Sequence, residues 1–366
     1  MKILIISSFD DADAAAVSWG LKKLGSDAVL WDPTRFPRHA TASWSISDQQ
    51  AGAFAFQLDG HEYAGVYDKV WFRRATLPVA MENSHPADLG IIKKESTHFF
   101  NNIYSVTGGE HALWVNDIHA ARRSNSKMLQ LEIARSLGFS IPNTMIGNDA
   151  RQVRDFFHAN DKQMVRKSFS VGGWTAVDGS AHIIKTAKVK EEQLQHDMAL
   201  MACPSIYQNL VAKQFEARVT VIGNRVIAAK IDSQRDEKTV DWRYDLPKNK
   251  IPVEPLELPE EVTQRCLSLC QQLGLVFACI DLIFSTSGEY VFLELNEAGQ
   301  FLWLERYHKD LTMLDSFCRY LAYGNTQANP ALPQLAFDDF FESDEFLEFE
   351  EINKKMQNDG ILLINE

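Results

Sequence analysis

Two apolar segments near residue 290 constrain the fold more than any other part of the chain, because a short turn must bring them side by side. Cys-Ile-Asp-Leu-Ile-Phe occupies residues 279–284, and Phe-Leu-Glu-Leu-Asn-Glu-Ala-Gly-Gln occupies residues 292–300. Both segments have the apolar content of buried strands, and the turn from Ser285 to Glu289 folds the second strand back on the first. The sequence therefore predicts a pair of adjacent strands.

Three oxygen-bearing side chains lie on this strand pair. Glu294 and Asn296 are two residues apart, so on a strand their side chains leave the same face. The turn returns Asp281 to their side. Magnesium takes a few hard oxygen ligands from a protein and keeps its other positions for water and phosphate. Asp281, Glu294 and Asn296 are therefore predicted to form a magnesium-nucleotide site, and the simpler alternative is a strand pair that ends in polar residues.

The composition favours a large globular protein without a nucleic-acid partner. A chain of 366 residues is long enough for two or three domains. Its 37 basic and 49 acidic residues give a net charge of -12, which opposes binding to a nucleic-acid backbone. Residues 331–366 hold ten of the acids and two lysines, so the body of the protein is only mildly acidic.

The cysteines and the apolar segments favour a cytoplasmic protein. The five cysteines have no metal-binding spacing, and their odd number indicates reduced thiols that fill the core. The apolar run from Ile3 to Ile6 is soon followed by Asp10 and Asp11, which does not fit a signal peptide. No apolar stretch approaches the length of a membrane span, so no membrane partner is expected.

The N-terminal residues have the pattern of an α/β domain. Residues 2–6 and 28–31 are predicted strands, and residues 12–24 between them are a predicted helix that Gly25 ends. The first turn, Ser-Ser-Phe-Asp-Asp, lacks the glycines of a dinucleotide fingerprint, which disfavours a Rossmann dehydrogenase. The domain is expected to end near residue 115.

The middle of the chain alternates helices and strands. Residues 124–137 and 260–273 are predicted helices. Between them, residues 163–188 are predicted to form strands around a loop with Gly172 and Gly173. A glycine pair lets backbone amides approach an anion closely, which suits a flap over phosphate groups, although most such pairs are simple turns.

The order of these segments resembles the ATP-grasp superfamily, and within it the microviridin-type ligases that macrocyclise ribosomal peptides, the graspetide synthetases. The matching segments are Trp-Phe-Arg-Arg at 71–74, Lys127, Gly-Phe-Ser-Ile-Pro-Asn-Thr at 138–144, Lys167, 204–213, Glu-Ala-Arg at 216–218, Asp-Trp-Arg at 241–243 and 292–300. Where the family commonly has Asn-Pro, this chain has Asn116-Asp117 and Asn296-Glu297. Residues 326–366 lie beyond the usual end of the family.

The resemblance implies a fold of the α/β class with α+β subdomains, arranged as an ATP-grasp fold. It implies ATP and Mg²⁺ as cofactors. Four parts are expected: an N-terminal α/β domain at 1–115, a central subdomain with the flap at 116–205, a C-terminal subdomain at 206–325, and an acidic, Phe-rich extension at 326–366.

The resemblance also implies roles for individual residues. Lys127 and Lys167 would hold nucleotide phosphates. Arg218, Arg243 and Lys167 would act at the γ-phosphate and the acyl phosphate, where the planar fork of an arginine donates to two oxygens. The remaining nucleotide contacts would come from a hinge, its neighbours and the flap: Gln208, Asn209, Leu210, Val211, Lys213, Glu216, Gly172 and Gly173.

Arg73 and Arg74 follow each other on a predicted strand, so their side chains point to opposite faces. At most one of them is expected to enter the site. The other is expected in a surface or structural ion pair.

The implied activity is ATP-dependent activation of a carboxylate. Phosphoryl transfer would give an acyl phosphate, which a hydroxyl or an amine attacks without a covalent enzyme intermediate. The resemblance predicts ω-ester or ω-amide cross-links within a ribosomal precursor peptide, leader plus core, made by a homodimer. Two alternatives stay open: a ligase that adds free amino acids to a protein or small-molecule carboxylate, and a regulatory protein that binds nucleotide without turnover.

The C-terminal extension is acidic and rich in phenylalanine. Residues 338–351 hold eight acids and no base, and apolar residues recur at a helical spacing over 346–356. Exposed phenylalanines are costly in water, so the extension is expected to dock on an apolar surface. A second hypothesis is that it occupies a peptide-recognition region, because Phe-Phe at 340–341 and Phe-Leu-Glu at 346–348 echo leader peptides of the microviridin type.

Overall fold

The computed structural model describes residues 1–8, 10–58, 60–74, 83–169, 173–175, 180–183, 185–234, 240–244, 251–327 and 329–358. Within these residues the strands form five sheets. Helices pack on the sheets, and the predicted α/β class is confirmed. None of the helices in these segments is long and apolar enough to cross a membrane.

The N-terminal sheet has four parallel strands in the order β2-β1-β6-β7. Their bounds are β1 Lys2–Ile6, β2 Asp27–Trp31, β6 Tyr67–Phe72 and β7 Gly108–Val115. On the central strand, Ile3 and Ile5 belong to one apolar cluster, whereas Leu4 and Ile6 belong to another. This alternation is typical of a parallel strand that is buried on both faces.

Helix α1 (Ala12–Lys23) packs on one face of this sheet. Asp11 caps the helix by accepting a hydrogen bond from Ala14 N at 3.4 Å. Most of α1 is buried because C-terminal helices cover its outer side. Gly20 makes the close approach possible, since a Cβ at this position would lie 2.8 Å from Cys318 Sγ.

The other face of the sheet carries an aromatic core. Helix α2 (Leu89–Ile103) and a three-stranded antiparallel sheet contribute to it. The strands of this sheet are β3 Ala40–Ser47, β4 Gln50–Leu58 and β5 His61–Ala64. The ring of Trp31 lies 5.0 Å from that of Phe56 and 5.7 Å from that of Phe100, between ring centroids.

The central sheet is small and has the strand order β12-β9-β13-β8. Its strands are antiparallel: β8 Thr144–Gly147, β9 Met164–Lys167, β12 Ala187–Lys188 and β13 Ser205–Asn209. Helices α5 (Ala150–Ala159) and α6 (Asp197–Ala202) share its apolar core. A separate antiparallel pair is formed by β10 (Gly173–Thr175) and β11 (Ala181–Ile183).

The C-terminal sheet has five antiparallel strands in the order β16-β15-β14-β17-β18. Their bounds are β14 Lys213–Ile222, β15 Arg225–Ile231, β16 Val253–Pro255, β17 Phe277–Ser285 and β18 Tyr290–Asn296. Helices α4 (Lys127–Ser136) and α7 (Glu260–Leu273) share one apolar core with this sheet. Helix α4 thus packs on the C-terminal sheet although it precedes the central sheet in the chain.

The C-terminal extension docks on the body of the protein. The last helices are α8 Trp303–Tyr307, α9 Met313–Tyr323, α10 Phe337–Phe341 and α11 Asp344–Asn358. Phe337 and Phe340 are buried in the apolar cluster that contains α1. Glu305 fixes the path of the chain, because its carboxylate accepts from Leu314 N at 2.9 Å and from Phe337 N at 2.8 Å. The predicted docking on an apolar surface is confirmed, and the peptide-recognition hypothesis stays a hypothesis.

Two expectations from the sequence were wrong in detail. The helix predicted over 124–137 is preceded by a separate helix, α3 (Ile118–Ser124), and α4 begins only at Lys127. Ser126 separates them, because its side chain caps α4 and its backbone is extended. Of the five cysteines, four are buried as expected, but Cys203 is exposed.

Candidate active site

A cavity of about 310 Å³ lies between the central sheet and the C-terminal sheet. Predicted nucleotide-binding residues line its walls: Lys167, Gln208, Asn209, Leu210, Val211, Lys213 and Glu216. Arg243, Asp281 and Glu294 line it as well. The tertiary structure therefore brings most of the predicted site residues to one place.

The candidate metal ligands lie on paired strands, as the sequence predicts. β17 and β18 are antiparallel, and Asp281 lies opposite Glu294. Asn296 follows two residues further along β18. The turn between the strands is closed by Ser285 N, which donates to Glu289 O at 2.9 Å. Asp281 is buried, and Glu294 and Asn296 are partly buried.

Glu294 is surrounded by basic side chains. Lys127 Nζ lies 3.1 Å from Glu294 Oε2, and Arg243 Nη1 lies 3.2 Å from Glu294 Oε1. Lys127 Nζ also donates to Asn296 Oδ1 at 3.4 Å. Burial alone raises the pKa of Glu294, but the charges of Lys127, Lys167 and Arg243 outweigh burial and hold this pKa well below its usual range. Glu294 is therefore an anion near neutral pH.

Arg218 joins Asp281 to the loop that follows β18. Its Nη1 donates to Asp281 Oδ1 at 2.8 Å, and its Nη2 donates to Gln300 O at 2.9 Å. Burial lowers the pKa of Arg218, but the charge of Asp281 outweighs it, so the net pKa is raised. Lys127 and Arg218 do not line the cavity themselves, yet each pairs with a carboxylate that does.

Arg243 is oriented by its neighbour in the Asp-Trp-Arg motif. Asp241 accepts from Arg243 Nε at 2.9 Å and from Arg243 Nη2 at 2.8 Å. This two-point contact matches the planar fork of a guanidinium, and it leaves Nη1 to reach Glu294. Burial raises the pKa of Asp241, but hydrogen bonds and charge from Arg243 lower it below its usual range. The motif was recognised in the sequence, but the role of Asp241 was not.

The hinge predicted to contact adenine is the end of β13 and the residues after it. Gln208 Nε2 donates to Thr144 Oγ1 at 3.1 Å, and Leu210 N donates to Gln163 O at 2.9 Å. Asn209 Oδ1 is buried and has no hydrogen-bond partner within the described part of the chain. A buried acceptor without a donor is costly, so this oxygen suits a donor supplied by a ligand.

Lys213 and Glu216 form a buried pair on β14. Lys213 Nζ lies 2.6 Å from Glu216 Oε1, and Ser233 Oγ donates to the same oxygen at 2.8 Å. Burial raises the pKa of Glu216, although Lys213 and Ser233 oppose this shift. Both residues line the cavity, and the predicted contact of Glu216 with the ribose stays a prediction.

Only part of the predicted flap belongs to the described residues. Gly172 lies outside them, as do residues 170–171. Gly173 begins β10 and pairs with Ile183 of β11. Lys167 ends β9 and lines the cavity, so the segment leading into the flap starts at the cavity wall.

Arg73 and Arg74 follow β6 and do not line the cavity. The buried guanidinium of Arg73 lies 2.5 Å from Asp11 Oδ2 and 3.0 Å from Asp13 Oδ2. Arg74 Nε donates to Ala298 O at 3.4 Å. Arg73 therefore forms the structural ion pair that the sequence predicted for one of these two arginines.

Two buried amides support the site and were not identified from the sequence. Gln130 on α4 forms hydrogen bonds with both backbone groups of Leu295, each at 2.9 Å. Asn116 accepts from Phe277 N at 2.9 Å and donates to Glu297 O at 3.0 Å, so it ties β17 to the loop after β18. The one available signal was that Gln130 follows a predicted site lysine by one helical turn.

The donor set at the strand pair fits magnesium. Asp281, Glu294 and Asn296 offer carboxylate and amide oxygens, which are the hard ligands that Mg²⁺ prefers. No group of three His, Cys, Asp or Glu side chains with metal-binding geometry occurs in the segments that the structure describes. The assignment of Asp281, Glu294 and Asn296 as metal ligands stays a prediction.

Comparisons with known proteins support the ATP-grasp interpretation. A family model described as a RimK-like ATP-grasp domain matches residues 125–313. A RiPP-associated ATP-grasp ligase from Chryseobacterium gregarium, solved with ADP and a leader and core peptide, is 27% identical with a TM-score of 0.80, and the match covers 91% of this chain and 99% of that chain. The search of curated proteins returned no match.

A second solved structure agrees with the first. The macrocyclase MdnC from Microcystis aeruginosa, solved with its precursor peptide MdnA, is 24% identical with a TM-score of 0.77. That match covers 88% of this chain and 99% of MdnC. The ATP-grasp fold and the resemblance to microviridin-type ligases, both predicted from the sequence, are confirmed.

Proposed function

The chain belongs to the RimK-like ATP-grasp family of ligases, and we propose that it cross-links side chains of a ribosomal peptide in an ATP-dependent reaction. The peptide would supply an Asp or Glu carboxylate and a Ser, Thr or Lys nucleophile. Activation of the carboxylate as an acyl phosphate would be followed by formation of an ω-ester or ω-amide bond.

One arrangement carries this proposal: two carboxylates lie opposite each other at the cavity wall, and basic side chains pair with both. Asp281 and Glu294 are the carboxylates. The basic side chains around them are Lys127, Lys167, Arg218 and Arg243. Such a mixed cluster suits a metal-bound polyphosphate, because carboxylates bind the metal while lysine and arginine neutralise phosphate oxygens.

ATP would lie along the cavity with its adenine at the hinge. Asn209 Oδ1, which is buried without a partner in the described chain, is proposed to accept from the nucleotide. Glu216 lines the same cavity and is proposed to contact the ribose. The phosphates would be held by Lys127, Lys167 and the flap residues Gly172 and Gly173.

Mg²⁺ held by Asp281, Glu294 and Asn296 would supply charge neutralisation at the phosphates. The protein's own task is to position the reacting groups. Asp241 orients Arg243 at the proposed phosphate end of the cavity. There the guanidinium of Arg243 can stabilise charge on the transferred phosphoryl group. A carboxylate oxygen of the peptide takes the γ-phosphoryl group and ADP leaves; the nucleophile then attacks the carbonyl carbon, loses its proton, and phosphate leaves.

The proposed substrate is a peptide. Its support is the likeness to the Chryseobacterium gregarium ligase, whose structure contains a leader and core peptide. The proposed partner of this chain is therefore a ribosomal precursor peptide. The homodimer and the cytoplasmic location expected from the sequence belong to the same proposal, and free cysteines suit a reducing compartment.

Co-expression with short peptides encoded near the gene, followed by intact mass measurement, tests the proposal. Each cross-link removes one water from the peptide, whereas addition of a free amino acid raises the mass. A Glu294→Gln enzyme, expressed in parallel, is the inactive control. A peptide that gains mass would favour the amino-acid ligase, and an enzyme that binds ATP but neither consumes it nor changes any peptide would favour the regulatory alternative.

A further inference from the structure

Helix α4 holds the strand of the candidate metal ligands through the side chain of Gln130. Gln130 Nε2 donates to Leu295 O at 2.9 Å, and Gln130 Oε1 accepts from Leu295 N at 2.9 Å. Gln130 Nε2 also donates to Ser124 O at 2.6 Å. Gln130 is only 1% exposed, and both N–H donors of its amide are used by these backbone groups.

The amide of Gln130 takes the place of a neighbouring strand. β18 is the last strand of its sheet in the described structure, so its outer backbone groups need partners from elsewhere. Earlier in β18, Phe292 N donates to Ser140 O at 2.8 Å. At Leu295, a side-chain amide offers the same donor and acceptor as a peptide group, and Gln130 fills that position.

The same turn of α4 contacts the side chains on either side of Leu295. Lys127 and Gln130 are three residues apart on the helix, so both face the strand. Lys127 Nζ lies 3.1 Å from Glu294 Oε2 and 3.4 Å from Asn296 Oδ1. One helical turn therefore contacts three consecutive strand residues, and Gln130 forms its hydrogen bonds to this strand with the backbone of Leu295.

We propose that Gln130 is a positioning residue for the metal site, which deepens the proposed function and rests on it. Glu294 and Asn296 leave the same face of β18 only while Leu295 between them stays extended. By fixing both backbone groups of Leu295, Gln130 holds the two ligand side chains where they can reach one ion. Residues that orient metal ligands without touching the metal typically change metal affinity about 10- to 100-fold.

Mn²⁺ binding to the full chain in the presence of ADP, measured by electron paramagnetic resonance, tests this role. Gln130→Met keeps the size of the side chain and removes the amide. Gln130→Asn keeps an amide that is one methylene too short to reach both groups of Leu295. Both variants are expected to bind Mn²⁺ about 10- to 100-fold more weakly than the wild type, while metal-free ADP binding, measured by calorimetry, keeps its wild-type affinity.

Leu269→Ala is the matched control for a purely structural effect. Leu269 is fully buried on α7 in the same apolar core, and α7 packs on β14, β15 and β17. This variant is expected to unfold at a lower temperature and to bind Mn²⁺ with wild-type affinity. Wild-type Mn²⁺ affinity in both Gln130 variants, or an equal loss in Leu269→Ala, overturns the positioning role.

Failure of the proposed function gives a different result. A wild-type protein that binds ADP but no Mn²⁺ would overturn the metal site itself, and the role of Gln130 with it. A wild-type protein that binds both, with variants that do not differ from it, overturns the role of Gln130 alone.

Discussion

Arg73 and Arg218 donate hydrogen bonds to the carbonyl oxygens of two consecutive residues. Arg73 follows β6 of the N-terminal sheet, whereas Arg218 lies on β14 of the C-terminal sheet, 145 residues later in the sequence. Arg73 Nη1 donates to Gly299 O at 3.3 Å, and Arg218 Nη2 donates to Gln300 O at 2.9 Å. A Cβ on Gly299 would lie 2.6 Å from Cys279 Cβ and 2.8 Å from Arg218 Nη2, so only glycine fits at this position without a shift of its neighbours. The loop after the candidate metal strand is thus held by hydrogen bonds from two arginines.

Arg73 also pairs with two buried carboxylates in the N-terminal part of the chain. Asp11 and Asp13 both pair with it, and Asp13 Oδ2 further accepts from Phe301 N at 3.1 Å. Burial raises the pKa of Asp13, whereas Arg73 outweighs burial at Asp11 and lowers its pKa. This cluster joins the first helix of the protein to the loop that leaves the site.

Replacement of Arg73 by methionine is expected to destabilise the protein strongly. Arg73→Met removes the ion-pair partner of the buried Asp11 and Asp13, and breaking a buried pair in this way typically costs about 3–5 kcal/mol. Urea unfolding at neutral pH measures the loss. Arg135→Met is the control, because Arg135 is exposed and pairs with the equally exposed Glu132, a type of contact worth at most about 1 kcal/mol. Equal losses in the two variants would contradict the role of Arg73.

Glu294→Gln is expected to abolish turnover without unfolding the protein. Metal-ion stabilisation of phosphoryl transfer is worth several kcal/mol, so peptide-dependent ATP consumption should fall about 100-fold or more. Glu132→Gln, an exposed carboxylate on α4, is the control and should keep wild-type activity. Wild-type ATP consumption by the Glu294 variant would show that this residue is not a metal ligand.

Stability is expected to depend on pH through Glu294. The folded-state pKa of Glu294 is depressed below the ordinary value of 4.5, so its contribution is fully present above that value. The contribution is lost as pH falls from 4.5 toward the folded-state pKa, because the unfolded chain binds the proton first. The difference in unfolding free energy between the wild type and Glu294→Gln should therefore shrink below about pH 4.5. A difference that stays constant as pH falls would contradict the assigned shift.

The docked extension is expected to contribute to the stability of the whole fold. Phe340 is fully buried against Trp19, with ring centroids 6.1 Å apart, and Phe340→Ala should lower the unfolding free energy by about 3–5 kcal/mol. Leu347 lies in the same extension but is 63% exposed, so Leu347→Ala should change it by less than about 0.5 kcal/mol. A Phe340 variant as stable as the Leu347 variant would mean that the extension is not docked in solution.

The local sequence pattern determined the strand pair and the positions of its candidate metal ligands. Glu294 and Asn296 share a face because strand side chains alternate with a period of two, whatever surrounds the strand. Asp281 returns beside them because the connecting turn is short. The first strand, helix and strand were predictable for the same reason, since their apolar spacing and their end at Gly25 are local features.

Only the tertiary structure decided which polar residues support those ligands. Gln130 and Leu295 are 165 residues apart, and Asn116 and Phe277 are 161 apart, so no local pattern connects them. A glutamine on a helix has the same sequence signature whether it is solvated or buried against a strand edge. The partners of Arg73 are likewise distant, at Asp11 and Asp13. Periodicity specifies the face on which a side chain lies, whereas its hydrogen-bond partner is set by how separate elements pack.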